Sequence, residues 1–340
     1  MMADIFSTDS LVQVVRYLPQ PNTFLLDTFF PNIQQEQSEF IHFDVENGKR
    51  RIAPFVSPLV EGKIVEEQGF VAKEFKPAYV KPKTAFNPNR AIKRAKGERI
   101  GGEYSPQQRI EMAVADTLLD HSNMIKRRLE LMAAEALRLG QVTVSGERYP
   151  TTVVNYGRDA GLSVTLTNPN RWSDSGIEPL DNLTDWSQTV LQKSGAPITD
   201  WVMTVDVWKV FYKNANVKAL LDRFRGNSQI SGFAPEPREG GVLVGEIPPF
   251  RFWVYSGWYV DDAGTEQPIL PAGTVIGGSA AIEGYEAYAA IQDPTAGFQA
   301  LPIFPKSWVD NDPPVRWIMS QSAPLVVPYR PNASFRATVL

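Results

Sequence analysis

Residues 105–139 read as one uninterrupted helix. Ser105 stands where an N-cap belongs, Pro106 suits the first turn, and Gly140 offers a left-handed stop. Between these signals Ile110, Val114, Leu118, His121, Ile125, Leu129, Met132, Ala136 and Leu139 recur at steps of four and three, the spacing of one helical face. At 1.5 Å per residue such a helix is about 50 Å long. Globular helices average about a dozen residues, so a helix of this length serves more than one core and acts as a spine.

Around the spine there is enough chain for two lobes: 340 residues, 43% of them hydrophobic. A net charge of −4 from 34 basic and 38 acidic residues argues against bulk binding to nucleic acid or membrane, while leaving room for local patches. The absence of cysteine excludes disulfides, thiolate chemistry and cysteine-type zinc sites, and suits a reducing cytoplasm. The N-terminus MMADIFSTDS has neither a basic nor an apolar leader region, so export is not expected. The uncharged run 267–282 is too short to span a bilayer and is broken by Pro268, Pro271, Gly273, Gly277 and Gly278, so no membrane helix is expected.

In chain order, residues 9–18 predict a short helix with Leu11, Val14, Val15 and Leu18 on one face, stopped by Pro19 and Pro21. The apolar stretch FLLDTFF follows. Phe24, Leu25, Leu26, Phe29 and Phe30 need cover, either from another subunit, as a docked arm, or from this subunit's own core, as a strand. Residues 52–89 read as a long hairpin turning at Glu67, Gln68 and Gly69, and a two-stranded ribbon of this kind must rest on another surface. Between residues 81 and 99 seven cations (Lys81, Lys83, Arg90, Lys93, Arg94, Lys96 and Arg99) face one acid, Glu98. Such a stripe suits a neighbouring subunit's acidic surface or nucleic-acid phosphate, and a solvated loop accounts for it as well.

After the spine, residues 141–157 form a hairpin, GLSVTLT adds a strand, and residues 179–193 form a helix burying Leu183, Trp186, Val190 and Leu191. A second lobe begins near Ile198 with the strand TDWVMTVDV. One helix is expected over 208–224, with Val210, Phe211, Val217, Leu220, Leu221 and Phe224 on its apolar side. The glycine- and proline-rich run 226–241 is a long loop of the kind that is functional or mobile. Strand-like sequence then continues to the C-terminus.

The sequence blocks YVKPK, VYSG, IQD and QSAPL, in this order, together with the FLLDTFF arm, the 57–88 ribbon and the terminal strands, resemble the major capsid proteins of bacteriophage lambda and its relatives. The resemblance runs over nearly the full length. It implies an α+β chain with the Hong Kong 97-like phage capsid fold: an N-terminal arm (1–50), an extended β-hairpin loop (51–100), a peripheral domain with the long spine helix (101–195, with 302–323 returning) and an axial domain (196–301, with 324–340 as its last strand). By the same resemblance the protein is a head shell subunit of a tailed double-stranded DNA phage, assembling in the host bacterial cytoplasm as pentamers and hexamers of an icosahedral virion shell. The implied partners are a separate scaffold, a decoration protein at threefold sites, the portal and packaged DNA held by non-specific contact. A cellular nanocompartment shell with the same fold is the alternative. The subunit-contact residues expected on this reading are Phe24, Leu25, Phe29, Phe30, Glu67, Gln68, Gly69, Lys81, Lys83, Arg90, Lys93, Arg94 and Lys96.

An enzyme is not expected, and neither is a cofactor or metal. The two histidines, His42 and His121, lie near no nucleophile turn of G-x-S-x-G type, and no P-loop, dinucleotide fingerprint or H-E-x-x-H motif occurs. His121 reads as a hydrogen-bonded core or interface residue. Some relatives in the fold class lock their shells by an isopeptide bond between an extended-loop lysine and an asparagine, assisted by a buried glutamate. Lys63, Lys73, Lys76, Lys81 and Lys83 would supply amines and Asn311 the amide, but no glutamate occurs between Gln299 and Leu340, so cross-linking is not expected.

Overall fold

The computed structural model describes residues 5–19, 23–46, 61, 70–86, 93–94, 98–100, 102, 104–146, 148–226, 240–261, 263–311 and 314–340. Ser7 caps the first helix, α1 (Thr8–Tyr17), its side chain accepting from Ser10 N at 3.3 Å. The FLLDTFF stretch is a second helix, α2 (Phe24–Phe29). Strands β1 (Asn32–Gln35), β2 (Ile41–Glu46), β3 (Phe70–Phe75) and β4 (Lys83–Phe86) follow. The spine is α3 (Pro106–Leu139). Its capping box is complete: Ser105 Oγ accepts from Gln108 N at 3.2 Å and Gln108 Oε1 accepts from Ser105 N at 2.9 Å. Gly140 ends it at φ 68°, which a side chain would oppose.

Beyond the spine come the hairpin β5 (Gln141–Gly146) and β6 (Tyr149–Asn155), strand β7 (Ser163–Thr165), helix α4 (Pro179–Ser194) and strand β8 (Asp200–Thr204). Helices α5 (Val205–Lys213) and α6 (Ala215–Gly226) stand where one helix was expected. Asn214, at φ −62° and ψ 130°, breaks the run, and its Oδ1 then caps α6 by accepting from Asn216 N and Val217 N. Strands β9 (Gly241–Ile247), β10 (Phe250–Tyr255), β11 (Trp258–Val260), β12 (Glu266–Pro268), β13 (Thr274–Gly278) and β14 (Tyr285–Tyr288) continue. The C-terminus adds β15 (Phe304–Asn311), β16 (Pro314–Gln321), β17 (Pro324–Val327) and β18 (Phe335–Thr338).

These elements pack around the spine in separate cores. A six-stranded mixed sheet, ordered β7-β18-β13-β8-β10-β9, is covered by α4, α5 and α6. All five residues of β8 are buried, as expected of a central strand covered on both faces. Trp172, Trp186, Trp201, Phe211, Phe252 and Phe335 fill this core, Trp186 stacking on Phe335 with ring centroids 5.1 Å apart. The C-terminal half of α3 serves another core, contributing Ile125, Leu129, Ala133 and Leu137 against α2, the β2–β3 ribbon, the β5–β6 hairpin and the three-stranded sheet β1-β14-β17. Its N-terminal half serves a smaller one, where Val114 and Leu118 meet Leu11 of α1, Phe86 of β4 and Ile318 of β16.

The structure corrects several sequence expectations. β7 joins β18, not the β5–β6 hairpin, and Leu183 and Trp186 of α4 pack with Trp201, so a boundary between 195 and 196 would cut through the six-stranded core. β17 lies with β14 beside the spine, apart from β18, so residues 324–340 do not form one strand of one lobe. Leu139 and Leu191, expected inside, are 41% and 43% exposed, because each sits in the last turn of its helix, past the edge of the core. Within the expected ribbon, β3 pairs with β2 of the N-terminal arm and β4 pairs with β16. Residues 51–60 and 62–69, with the expected turn at Glu67, Gln68 and Gly69, lie outside the described residues, as does most of the loop 226–241.

Candidate assembly surfaces

The N-terminal arm is clasped by its own subunit. Phe24, Leu25 and Phe30 are fully buried and Phe29 is 1% exposed. The ring of Phe24 lies against Gly241, where a Cβ would fall 2.3 Å from it. A Cβ at Gly284 would likewise fall 2.3 Å from the Phe29 carbonyl oxygen. The contact with a neighbour expected of these four side chains is therefore taken by the subunit's own core. The physical reason is that the helix is enclosed on most sides: Leu25 and Phe29, four apart, share one face, Phe24 meets Trp253 and Tyr255 and Phe30 meets Gly284, so that only Asp27 and Thr28 turn outward.

A carboxylate from the spine completes this clasp. Thr23, at the N-cap of α2, makes no side-chain capping bond. Instead Glu130, 3% exposed, accepts from Leu25 N and Leu26 N at 2.9 Å each and from Tyr255 Oη–H at 2.9 Å. Burial pushes the Glu130 pKa from 4.5 up to about 7, against the lowering effect of those hydrogen bonds, with nearby Asp27 adding to the rise. Sequence reading missed this residue because it looked for apolar groups at the spine face. The available signal was the pair Ala133 and Ala134 one turn on, small residues that let another element approach the helix on the Glu130 side.

Three of the four short blocks converge at the root of the β3–β4 segment. Val80 N donates to Ser322 O at 2.9 Å and Ser322 N returns to Val80 O at 3.0 Å, tying YVKPK to QSAPL. Tyr79 joins both to the IQD block: its Oη–H donates to Ala290 O at 3.1 Å, and its oxygen accepts from Gln292 N at 2.9 Å. Gln321 Nε2 donates to Asp293 at 3.4 Å. The VYSG block lies elsewhere, at Tyr255 against Glu130. The blocks thus mark where an extended segment is anchored to the body.

The cations of the 81–99 stripe divide. Lys83 lies over the rings of Trp317, at 3.9 Å, and Trp308, at 4.9 Å, and Lys81 over Tyr79 at 4.5 Å. Arg94 donates to Glu98 O at 2.6 Å. Lys93 is exposed, whereas Arg90 and Lys96 lie outside the described residues. Glu98 is 2% exposed and takes the fork of Arg109, with Nη2 to Oε1 at 2.8 Å and Nε to Oε2 at 3.1 Å, fixing the stripe to the first turns of the spine.

The buried glutamates Glu98, Glu130 and Glu286 are all held by donors of their own chain, Glu286 by Lys126 Nζ at 2.9 Å. Among the candidate amines, Lys73 donates to Asn155 O at 2.5 Å and Lys76 pairs with Glu39, while Lys63 lies outside the described residues. His121 lies between Thr84 Oγ1 at 2.8 Å and Ser320 Oγ at 3.1 Å, bridging spine, β4 and β16. Burial lowers its pKa, opposed by the charge of Asp120. Among the described residues no cluster of His, Cys, Asp and Glu could hold a metal ion, and no helix is long and apolar enough to cross a membrane.

The sequence has relatives along its whole length. It is 28% identical to the major capsid protein of Enterobacteria phage P21 over 328 residues, 95% of this chain and 96% of that one. It is 29% identical to the major capsid protein of Escherichia phage lambda over 307 residues, 89% of each chain. The fold matches the crystal structure of a candidate prophage capsid protein from E. coli CFT073 with a TM-score of 0.76 at 21% identity, covering 98% of this chain and 99% of that one. The model of the family described as phage major capsid protein E matches residues 7–339. With its Hong Kong 97-like fold and this match over nearly every residue, the chain belongs to the phage major capsid protein E family.

Proposed function

We propose that this chain is the major head-shell subunit of a tailed double-stranded DNA phage, carried in the virion and assembled from copies of itself. The observation that carries the reading is the family match over residues 7–339, joined to a like fold in a prophage capsid protein. It is a structural protein on this reading. Pentamers and hexamers tile the shell in the host cytoplasm, a separate scaffold guides closure, the portal takes one vertex, a decoration protein stands at threefold sites, and packaged DNA is held without sequence preference.

The arrangement of the subunit supports this reading. Obligate contacts commonly bury more than about 2,000 Å², which a shell subunit reaches by spreading its contacts over several neighbours. With Phe24, Leu25, Phe29 and Phe30 taken inside, the arm offers neighbours Ile33 and Phe40, which are 54% and 38% exposed. The extended loop with Glu67, Gln68 and Gly69 reaches a second neighbour, and the exposed Lys81, Lys93 and Arg94, with Arg90 and Lys96, hold an acidic edge.

Electron microscopy of the purified protein, followed by a denaturing gel, tests the reading. Closed shells that dissolve to single 37.9 kDa chains are expected. Chains that stay unassembled both alone and when expressed with the other head genes of the same phage would overturn it, and a covalent ladder would overturn the absence of cross-linking.

A further inference from the structure

Between the spine and the β11–β12 ribbon runs an open groove of about 510 Å³. Its floor is one stripe of α3: Met124, Arg127, Arg128 and Leu131, at steps of three, one and three, beside the buried face of Ile125 and Leu129. Its wall is one face of the ribbon, where Trp258 and Val260 are 58% and 62% exposed. Met124 is 52% exposed. A second hollow of about 260 Å³ shares Arg127 and Trp258 and lengthens the groove toward Thr23. A two-stranded ribbon is marginal in water, and one with a bare Trp and Val has an apolar face without cover.

The charge of the groove says what covers it. Arg127 and Arg128 are exposed and form no ion pair among the described residues, whereas the adjacent Lys126 is paired with Glu286 at 2.9 Å. Glu266, on the outer strand of the ribbon, is the one acid among the lining residues of the larger groove. Two guanidinium groups beside exposed Met, Trp and Val fit carboxylates flanking an apolar stripe. The backbone of the floor is fully engaged within α3 and the groove is lined by an apolar stripe with cations beside it, the arrangement that an amphipathic helix fills by side-chain contacts along its apolar face. Nucleic acid would satisfy the arginines but leave Met124 and Val260 uncovered.

We propose that this groove is a docking site for an acidic, amphipathic helical segment of a separate protein, its apolar face on Met124, Trp258 and Val260 and its carboxylates on Arg127 and Arg128. The assignment is independent of the shell reading, because it concerns the unassembled subunit. The probe is a synthetic amphipathic peptide of about eighteen residues with Leu on one face flanked by Glu, compared with its Lys-for-Glu analogue. Calorimetric titration onto the unassembled full chain should show binding of the acidic peptide only. R127E/R128E should weaken that binding by about tenfold or more, and Trp258→Ala should weaken it as well. All three positions are exposed, so an unchanged melting curve verifies that the variants fold.

Equal binding of both peptides, or unaltered binding to R127E/R128E, would overturn the proposal. So would displacement of the acidic peptide by a short DNA duplex, which would assign the arginines to phosphate. If neither peptide binds and R127E/R128E alone blocks self-assembly, the occupant is a second copy of this chain and the proposal fails while the shell reading stands.

Discussion

Replacing Glu130 with alanine loads the joint between the N-terminal helix and the spine. The carboxylate accepts from Leu25 N, Leu26 N and Tyr255 Oη–H at 2.9 Å each. Truncation leaves two buried backbone N–H groups without acceptors, at about 1–3 kcal/mol each, so about 4 kcal/mol together. The pH modifies this sum. Because burial raises the pKa from 4.5 to about 7, the folded state binds the proton more readily than the unfolded chain does. Stability from this group is therefore fully present below pH 4.5, falls as the pH rises, and is lost above about 7. The total loss is about 3 kcal/mol. The alanine variant has no such slope, so its penalty is about 4 kcal/mol at the acid end and shrinks to about 1 kcal/mol above neutrality. Urea unfolding of the unassembled subunit, followed by tryptophan fluorescence at several pH values across this window, measures both quantities. A penalty that grows with pH, or that stays under about 1 kcal/mol throughout, would refute the reasoning.

Deleting residues 24–30 should unfold the subunit, because these side chains are part of its own core; a soluble, cooperatively melting deletion variant would contradict that placement. Ile125→Asp puts an unpaired charge on a face of the spine that is 1% exposed, at a cost of several kcal/mol, and should abolish cooperative melting; an unchanged melting temperature would count against that face. Neutralising Lys93, Arg94 and Lys96 together should slow shell assembly at low salt and make little difference at high salt, as read by light scattering. If shells form at the normal rate but hold less DNA, the stripe faces the genome and not a neighbour.

The spine was legible because its signals are local and agree: Ser105, Pro106, Gly140 and a face that repeats every three to four residues all specify one helix. The FLLDTFF stretch was legible as apolar but not as helical, since six residues give too little period to separate a strand from a helix. Its cover came from residues more than 100 positions away, Glu130 and Gly241, which no local pattern reveals. The same holds for the break at Asn214, where a single side chain caps the second helix inside an apolar pattern that continues across it. The lobe boundary failed for a topological reason. β7 and α4 follow the spine in sequence, but the parallel pairing of β7 with β18 carries them to the six-stranded sheet. The short blocks pointed to the family, and the hydrogen bonds of Tyr79, Val80 and Ser322 bring three of them together at one place in the fold.

The most direct test of the account is a cryo-electron microscopy reconstruction of whatever the purified protein assembles into. The account predicts a closed icosahedral shell of pentamers and hexamers in which each helix Phe24–Phe29 lies against Glu130 of its own chain. An open, non-icosahedral assembly would contradict the shell. The helix Phe24–Phe29 seated on a neighbouring subunit would contradict the clasp.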